Sequence, residues 1–145
     1  MSKKMINTLN NLVADMTVLY QKLRHYHWNV KGPQFFMLHE KFELMYTEVG
    51  DVIDELAERI VGLDGVPLHT LAAMLEASSL KEDSENPNSD LMVKRTVEDI
   101  ETVVAKLQAG IEEAEGVDDR TTTNLLDGIR DGLEGHLWML KSWQA

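Results

Sequence analysis

The chain has 145 residues and no cysteine, which excludes disulfides, thiolate metal sites and catalytic thiols. Its formal net charge of -11 repels phosphate groups and attracts cations. The alternative interpretation is that the charge only keeps the protein soluble. The length predicts one domain over residues 1–145, and the lack of a signal-peptide core or a long apolar run predicts a cytoplasmic protein without a membrane partner.

Apolar residues recur at steps of three and four along most of the chain. This spacing predicts four long amphipathic helices, at residues 5–30, 35–63, 90–115 and 120–143. Lys31-Gly32-Pro33 ends the first helix, because glycine accepts a left-handed conformation and proline cannot continue the hydrogen-bond ladder. A short helix over residues 70–77, capped by Thr70, lies in the connection before a polar loop at 78–90.

No stretch of the sequence has the alternating pattern of a strand. Four long helices with a long connection between the second and the third predict an all-α four-helix bundle of ferritin-like topology. The short helix is an addition within that connection. Neither an internal repeat nor a low-complexity tract is present.

Five side chains on the first two helices are candidate metal ligands. His27 lies on the apolar stripe of the first helix, and His39 lies one turn before Glu43 on the second. Asp54 and Glu58 are four residues apart on one face of the second helix, beginning three turns beyond Glu43. Imidazole and carboxylate without thiolate match Fe(II), Mn(II) or Zn(II). Taken singly, however, such histidines are more often core residues, and such carboxylates more often form a solvated face.

The spacing of these residues limits how they can share a metal. His39 and Asp54 are fifteen residues apart, about 22 Å of helix rise, whereas metal–ligand bonds are about 2 Å long. The Glu-x-x-His motif of an intrasubunit di-iron site is also absent. If two copies of the second helix cross antiparallel about a two-fold axis near Thr47, His39 faces the region of Asp54 and Glu58. That arrangement gives two sites about 25 Å apart across one dimer interface.

The segments HWNVKGPQFFMLHEKFE, DELAERI and GHLWMLKSW resemble the Dps family, the mini-ferritins, and the similarity extends over essentially the whole chain. The resemblance implies a hollow dodecamer with ferroxidase sites at its two-fold interfaces. There, His27 and His39 of one subunit, with Asp54 and Glu58 of the partner subunit, would bind iron, and Glu43 would lie close by. The implied activity is oxidation of Fe(II), preferably by hydrogen peroxide, with storage of Fe(III) mineral and protection against oxidative damage.

Two further features carry roles that the resemblance implies. Trp28 matches a tryptophan beside the site that takes up stray oxidising equivalents, although packing at the dimer interface explains it equally well. Four acids around the start of the fourth helix are candidates for an iron-entry pore: Asp118, Asp119, Asp127 and Asp131. Arg120 and Asn124 lie on the same polar face of this helix, at positions where a pore would be expected to have acids. An ordinary solvent-exposed face is therefore the alternative.

Some Dps proteins also compact DNA through a lysine-rich tail. Here only Lys3 and Lys4 precede the first apolar position, and the chain is strongly acidic, so nucleic-acid binding is not expected. Three hypotheses therefore remain. They are a peroxide-consuming ferroxidase and iron store, a DNA-compacting shell with secondary iron chemistry, and a helical scaffold whose acids are only solvated.

Overall fold

The computed structural model describes residues 2–145, which form five helices and no strand. The helices are α1 (Ser2–Asn29), α2 (Phe35–Gly62), α3 (Leu71–Ala77), α4 (Ser89–Gly116) and α5 (Arg120–Gln144). The predicted all-α fold, with its short helix between the second and third long helices, is confirmed. The largest difference is at the start of α1, where the polar turn before residue 5 is helical although it carries no apolar signal.

The predicted breaks between helices are present, but the chain uses aspartate as well as glycine to make them. Gly32 has a φ of 103°, in the region that favours glycine. After α2 and α4, the positive φ falls on Asp64 and Asp118, at 64° and 56°. Gly65 serves a different purpose, since a Cβ there would lie 2.8 Å from Ile6 Cδ1. Its lack of a side chain lets the end of α2 pack closely on α1.

The core lies between the apolar faces of the four long helices. It includes, among the most deeply buried side chains, Leu9, Leu12, Leu23, Phe42, Met45, Leu56, Ile100 and Leu107. Several apolar residues of the long helices are only partly buried and pack at the edge of the core, among them Tyr20, Val52, Ile53, Val104, Leu125 and Leu137. Within residues 2–145, no helix has the length and apolar character needed to cross a bilayer.

Buried polar contacts fix the long connection across α1 and α4. Asp15 is fully buried, accepts a hydrogen bond from Ser78 Oγ at 2.8 Å and forms an ion pair with Lys106. The Tyr26 hydroxyl donates to Asp83 at 2.6 Å. Burial, together with the adjacent Asp83, raises the pKa of Tyr26 well above its usual range. The connection is therefore held in place even though its composition is that of a loop.

Candidate metal centre

Two histidines meet where α1 turns back into α2. His27 is near the end of α1 and His39 is in the second turn of α2, and the turn between the helices brings their rings together. The ring centroids are 3.8 Å apart and the ring planes differ by only 16°. The imidazoles are therefore stacked face to face.

Each histidine is oriented by the backbone of the other. His27 Nδ1 is 2.7 Å from the carbonyl oxygen of residue 39, and His39 Nδ1 is 2.7 Å from the carbonyl oxygen of residue 27. Because a carbonyl oxygen only accepts, each Nδ1 must carry the proton and donate it. In the neutral rings, both Nε2 atoms are consequently bare and available as metal ligands.

Glu43 adds a carboxylate to this pair. Its Oε1 lies 3.8 Å from His27 Nε2, and the ligand atoms of His27, His39 and Glu43 all lie within 4.8 Å of one another. Among the described residues this is the one such group of three or more histidine or acidic side chains. The His27 side chain is 10% exposed and that of Glu43 57% exposed, so the cluster has a buried base and an open side.

Asp54 and Glu58 are not part of this cluster. They lie further along the same unbroken helix, and both are exposed. Fifteen residues of helix separate His39 from Asp54, about 22 Å of rise. Within one chain, therefore, the structure brings together three of the five predicted ligands and leaves the other two at the surface.

Aromatic side chains pack around the histidines. Phe35 stacks on His39 with a centroid distance of 4.8 Å, and Tyr46 meets His27 edge-on at 5.4 Å. The sequence interpretation missed both, although each lies one or two helical turns from His39 on α2. Trp28 is 56% exposed, and the Arg24 guanidinium lies 4.9 Å from its ring centroid. The indole of Trp28 is thus accessible at the surface beside the end of α1.

Asp119, one of the predicted pore acids, caps the N-terminus of α5. It accepts a hydrogen bond from the Thr122 backbone N–H at 3.1 Å and pairs with Arg59 at 3.0 Å. Burial alone would raise the pKa of Asp119, but the hydrogen bonds from Thr122 and Arg59 outweigh it and hold the pKa below its usual range. This carboxylate therefore has a structural role at the junction of α2 and α5.

The other three pore candidates lie on the surface near basic residues. Asp118 is 86% exposed and is 3.6 Å from Arg120. Asp127 and Asp131 both approach Arg130, at 3.3 and 3.9 Å. These arginines reduce the negative charge that a cation would meet, and the pore stays a prediction.

Comparison with known proteins places the chain in a family. The family model of the ferritin-like domain matches residues 6–145. DNA protection during starvation protein 2 of Bacillus anthracis is 46% identical over 143 residues, covering 99% of this chain and 98% of the relative. General stress protein 20U of Bacillus subtilis is 43% identical over 143 residues, covering 99% of both.

Solved structures agree with these relatives. A Dps protein from Bacillus brevis superposes with a TM-score of 0.97 at 44% identity, covering 99% of this chain and 97% of that one. Dps from Vibrio cholerae O1, described as a member of a broad superfamily of ferritin-like diiron-carboxylate proteins, gives 0.96 at 35% identity, covering 99% and 91%. Both sequence and fold match over almost the whole length, and the chain belongs to the Dps family of ferritin-like proteins.

Proposed function

We propose that this protein is a ferroxidase and iron store. It oxidises Fe(II), preferably with hydrogen peroxide, at sites shared between two subunits, and it keeps the Fe(III) mineral inside a hollow dodecamer. The observation that carries the proposal is the pair of bare Nε2 atoms, fixed by reciprocal backbone hydrogen bonds next to the Glu43 carboxylate. The diiron-carboxylate description of the Vibrio cholerae relative supports iron as the metal.

The stacked rings favour two irons at each site, one on each histidine. A metal ligated by imidazole lies close to the ring plane, about 2.0–2.1 Å from the nitrogen. The planes of His27 and His39 differ by only 16°, with the rings 3.8 Å apart. Two nearly parallel planes at that separation do not meet within bonding distance of both nitrogens. The geometry therefore supports two adjacent metal positions over one metal held by both rings.

The remaining ligands come from a second copy of the chain. Within one chain, each metal would have one imidazole and a share of the Glu43 carboxylate, which is too few ligands. The cluster is open on the side of Glu43, where further ligands can enter. A two-fold axis near Thr47 sets Asp54 and Glu58 of the partner subunit over that opening. Large apolar side chains on the same part of α2 support an interface here, since Met37 is 61% and Leu44 50% exposed.

Pairing the irons accounts for the choice of oxidant. One hydrogen peroxide takes two electrons and two protons to become two waters, and two Fe(II) supply one electron each. No hydroxyl radical is released when both electrons come from the same site. Trp28 is proposed as a trap for oxidising equivalents that escape, and Asp118, Asp127 and Asp131 as an entry path for Fe(II).

Anaerobic titration with Fe(II), followed by peroxide, tests the proposal. We expect saturable binding of about two Fe(II) per subunit and consumption of about one peroxide for every two irons. The double variant His27→Ala, His39→Ala should lose both Fe(II) binding and peroxide consumption. His69 is an exposed histidine outside the cluster, and its variant His69→Ala should match the wild type. Equal iron oxidation by the double variant, with its fold intact, would contradict the proposal.

DNA compaction is the second candidate, because the Bacillus anthracis relative bears the name of a DNA protection protein. The net charge of -11 opposes direct contact with the phosphate backbone. Removing iron and peroxide together protects DNA without binding it. We therefore propose protection through chemistry, with compaction as the alternative.

A further inference from the structure

In the described part of the chain, side-chain hydrogen bonds join α2 to α5 at two places. At one end, Arg59 of α2 binds Thr122 and Asp119 of α5, at 2.9 and 3.0 Å. At the other end, Lys41 and Glu48 of α2 hold a single histidine of α5. On α5, Thr122 and His136 are fourteen residues apart, which corresponds to about 21 Å of helix rise between the two junctions.

The histidine at the second junction is His136, whose side chain is only 9% exposed. Its Nδ1 lies 2.8 Å from Lys41 Nζ, and its Nε2 lies 2.5 Å from Glu48 Oε2. An ammonium group only donates, so Nδ1 must be bare, and Nε2 must carry the proton that goes to Glu48. The ring is therefore neutral and held in one tautomer. Burial lowers the pKa of Lys41, and the charge of Glu48 partly offsets this effect.

We propose that Lys41, His136 and Glu48 form a pH-sensitive latch between two pockets of the α2–α5 groove, of which Lys41 lines one and Glu48 and His136 line the other. A second proton on His136 would enter at Nδ1, where it turns an acceptor into a cationic donor facing an ammonium group 2.8 Å away. Lys41 must then leave, while the contact with Glu48 becomes an ion pair. Protonation of His136 on acidification therefore opens the latch.

The other ionisable side chains that α2 places around the latch are all acids. Asp51 and Glu55 line the pocket beside Glu48 and His136, and Glu40 and Glu43 line the pocket beside Lys41. From α1 the groove receives Met16, which carries no charge. On α5 the next cation is Lys141, which is paired with Glu101 of α4 at 3.0 Å.

The latch holds the part of α2 that carries two of the candidate ligands. Lys41 lies between His39 and Glu43, so its release loosens the segment that positions them. The opposite junction, made by Arg59 and Asp119, is a guanidinium–carboxylate pair that stays ionised over the same pH range. Opening is therefore confined to the metal-binding end. The latch itself does not require iron chemistry, whereas its effect on metal binding rests on the proposed function.

Trp143 provides a direct reporter, since it lines the same groove as Lys41 and Met139. With Trp28→Phe and Trp138→Phe in the background, its emission and the amide exchange of residues 37–45 are followed from pH 7.5 to 5.5. We expect a single transition with a roughly tenfold increase in the opening constant, the scale of one charge-assisted hydrogen bond.

His136→Gln is the matched control. Its amide oxygen can accept from Lys41 and its NH₂ can donate to Glu48, but the group does not titrate, so the profile should be flat. Lys41→Met is a second control that removes the like charge and should also abolish the transition. A wild-type transition retained in either folded variant overturns the latch.

Zn(II) affinity of the same proteins tests the consequence for the metal site. Acidification weakens Zn(II) binding in both wild type and His136→Gln, because protons compete with the metal for its ligands. We expect the wild type to lose a further roughly tenfold because its latch opens. Equal loss in the two proteins refutes the link to the metal site. Failure of both to bind Zn(II) refutes the metal-site proposal, and the Trp143 profile then still decides the latch.

Discussion

His39→Ala should remove one metal position of each site and leave the other. His27 donates from Nδ1 to the backbone carbonyl of residue 39, which alanine retains, so His27 keeps its orientation and its bare Nε2. Glu43 also stays beside it. If each ring binds its own metal, as the 16° stacking implies, the endpoint of a Fe(II) titration falls from about two per subunit to about one.

The same substitution has a small structural cost. It removes the bond from His39 Nδ1 to the carbonyl oxygen of residue 27, worth about 1 kcal/mol, and the stacking on His27 and Phe35. Expected destabilisation is about 1–2 kcal/mol, too little to unfold the chain.

Anaerobic calorimetry at pH 7 measures the endpoint, with His69→Ala as the control for loss of an exposed histidine and circular dichroism as the control for folding. A folded His39→Ala protein that binds no Fe(II) would show that both rings serve one metal. Unchanged binding of two would show that His39 is not a ligand. Either result refutes the reasoning from ring geometry.

Three other outcomes follow from the same account. Light scattering should show a dodecamer, because two of the five predicted ligands must come from another chain, and a monomer that binds metal would contradict this. A gel shift at physiological salt should show no retardation of DNA, and tight salt-sensitive binding would refute the argument from a net charge of -11. Asp119→Ala should cost about 1–2 kcal/mol at pH 7, through loss of the cap and the Arg59 pair, whereas Asp131→Ala, at an exposed position within α5, should change the stability little. Because the pKa of Asp119 is lowered, its stabilisation is complete above 3.8 and fades as the pH falls below that value, so the two variants should converge in acid denaturation.

The sequence alone was sufficient to predict the long helices and to decide which ligands can share a metal within one chain. Apolar spacing and the break at Gly32 predict the four long helices, because both signals are local. Helix rise alone shows that His39 and Asp54 cannot share a metal within one chain, and the structure keeps them on one unbroken helix. These conclusions need no knowledge of how the helices pack.

Contacts between helices required the structure. The reciprocal bonds of His27 and His39 depend on the path of the turn, and a sequence does not show which ring nitrogen meets a carbonyl. His136 and Glu48 are 88 residues apart, and their contact depends on the register of α5 against α2. Asp119 is different: an aspartate three residues before Thr122 at a helix start is a capping signal visible in the sequence.

The shared site is the central claim, and co-assembly of two inactive subunit types tests it most directly. One type lacks the histidines (His27→Ala, His39→Ala) and the other lacks the acids (Asp54→Ala, Glu58→Ala). In a mixed dimer, one interface site joins both damaged halves, while the other joins intact histidines to intact acids of the partner subunit. Rapid peroxide-dependent Fe(II) oxidation should therefore reappear in hybrid shells, at well under the wild-type rate. Hybrids that assemble and remain as inactive as either parent would contradict a site shared across the two-fold axis.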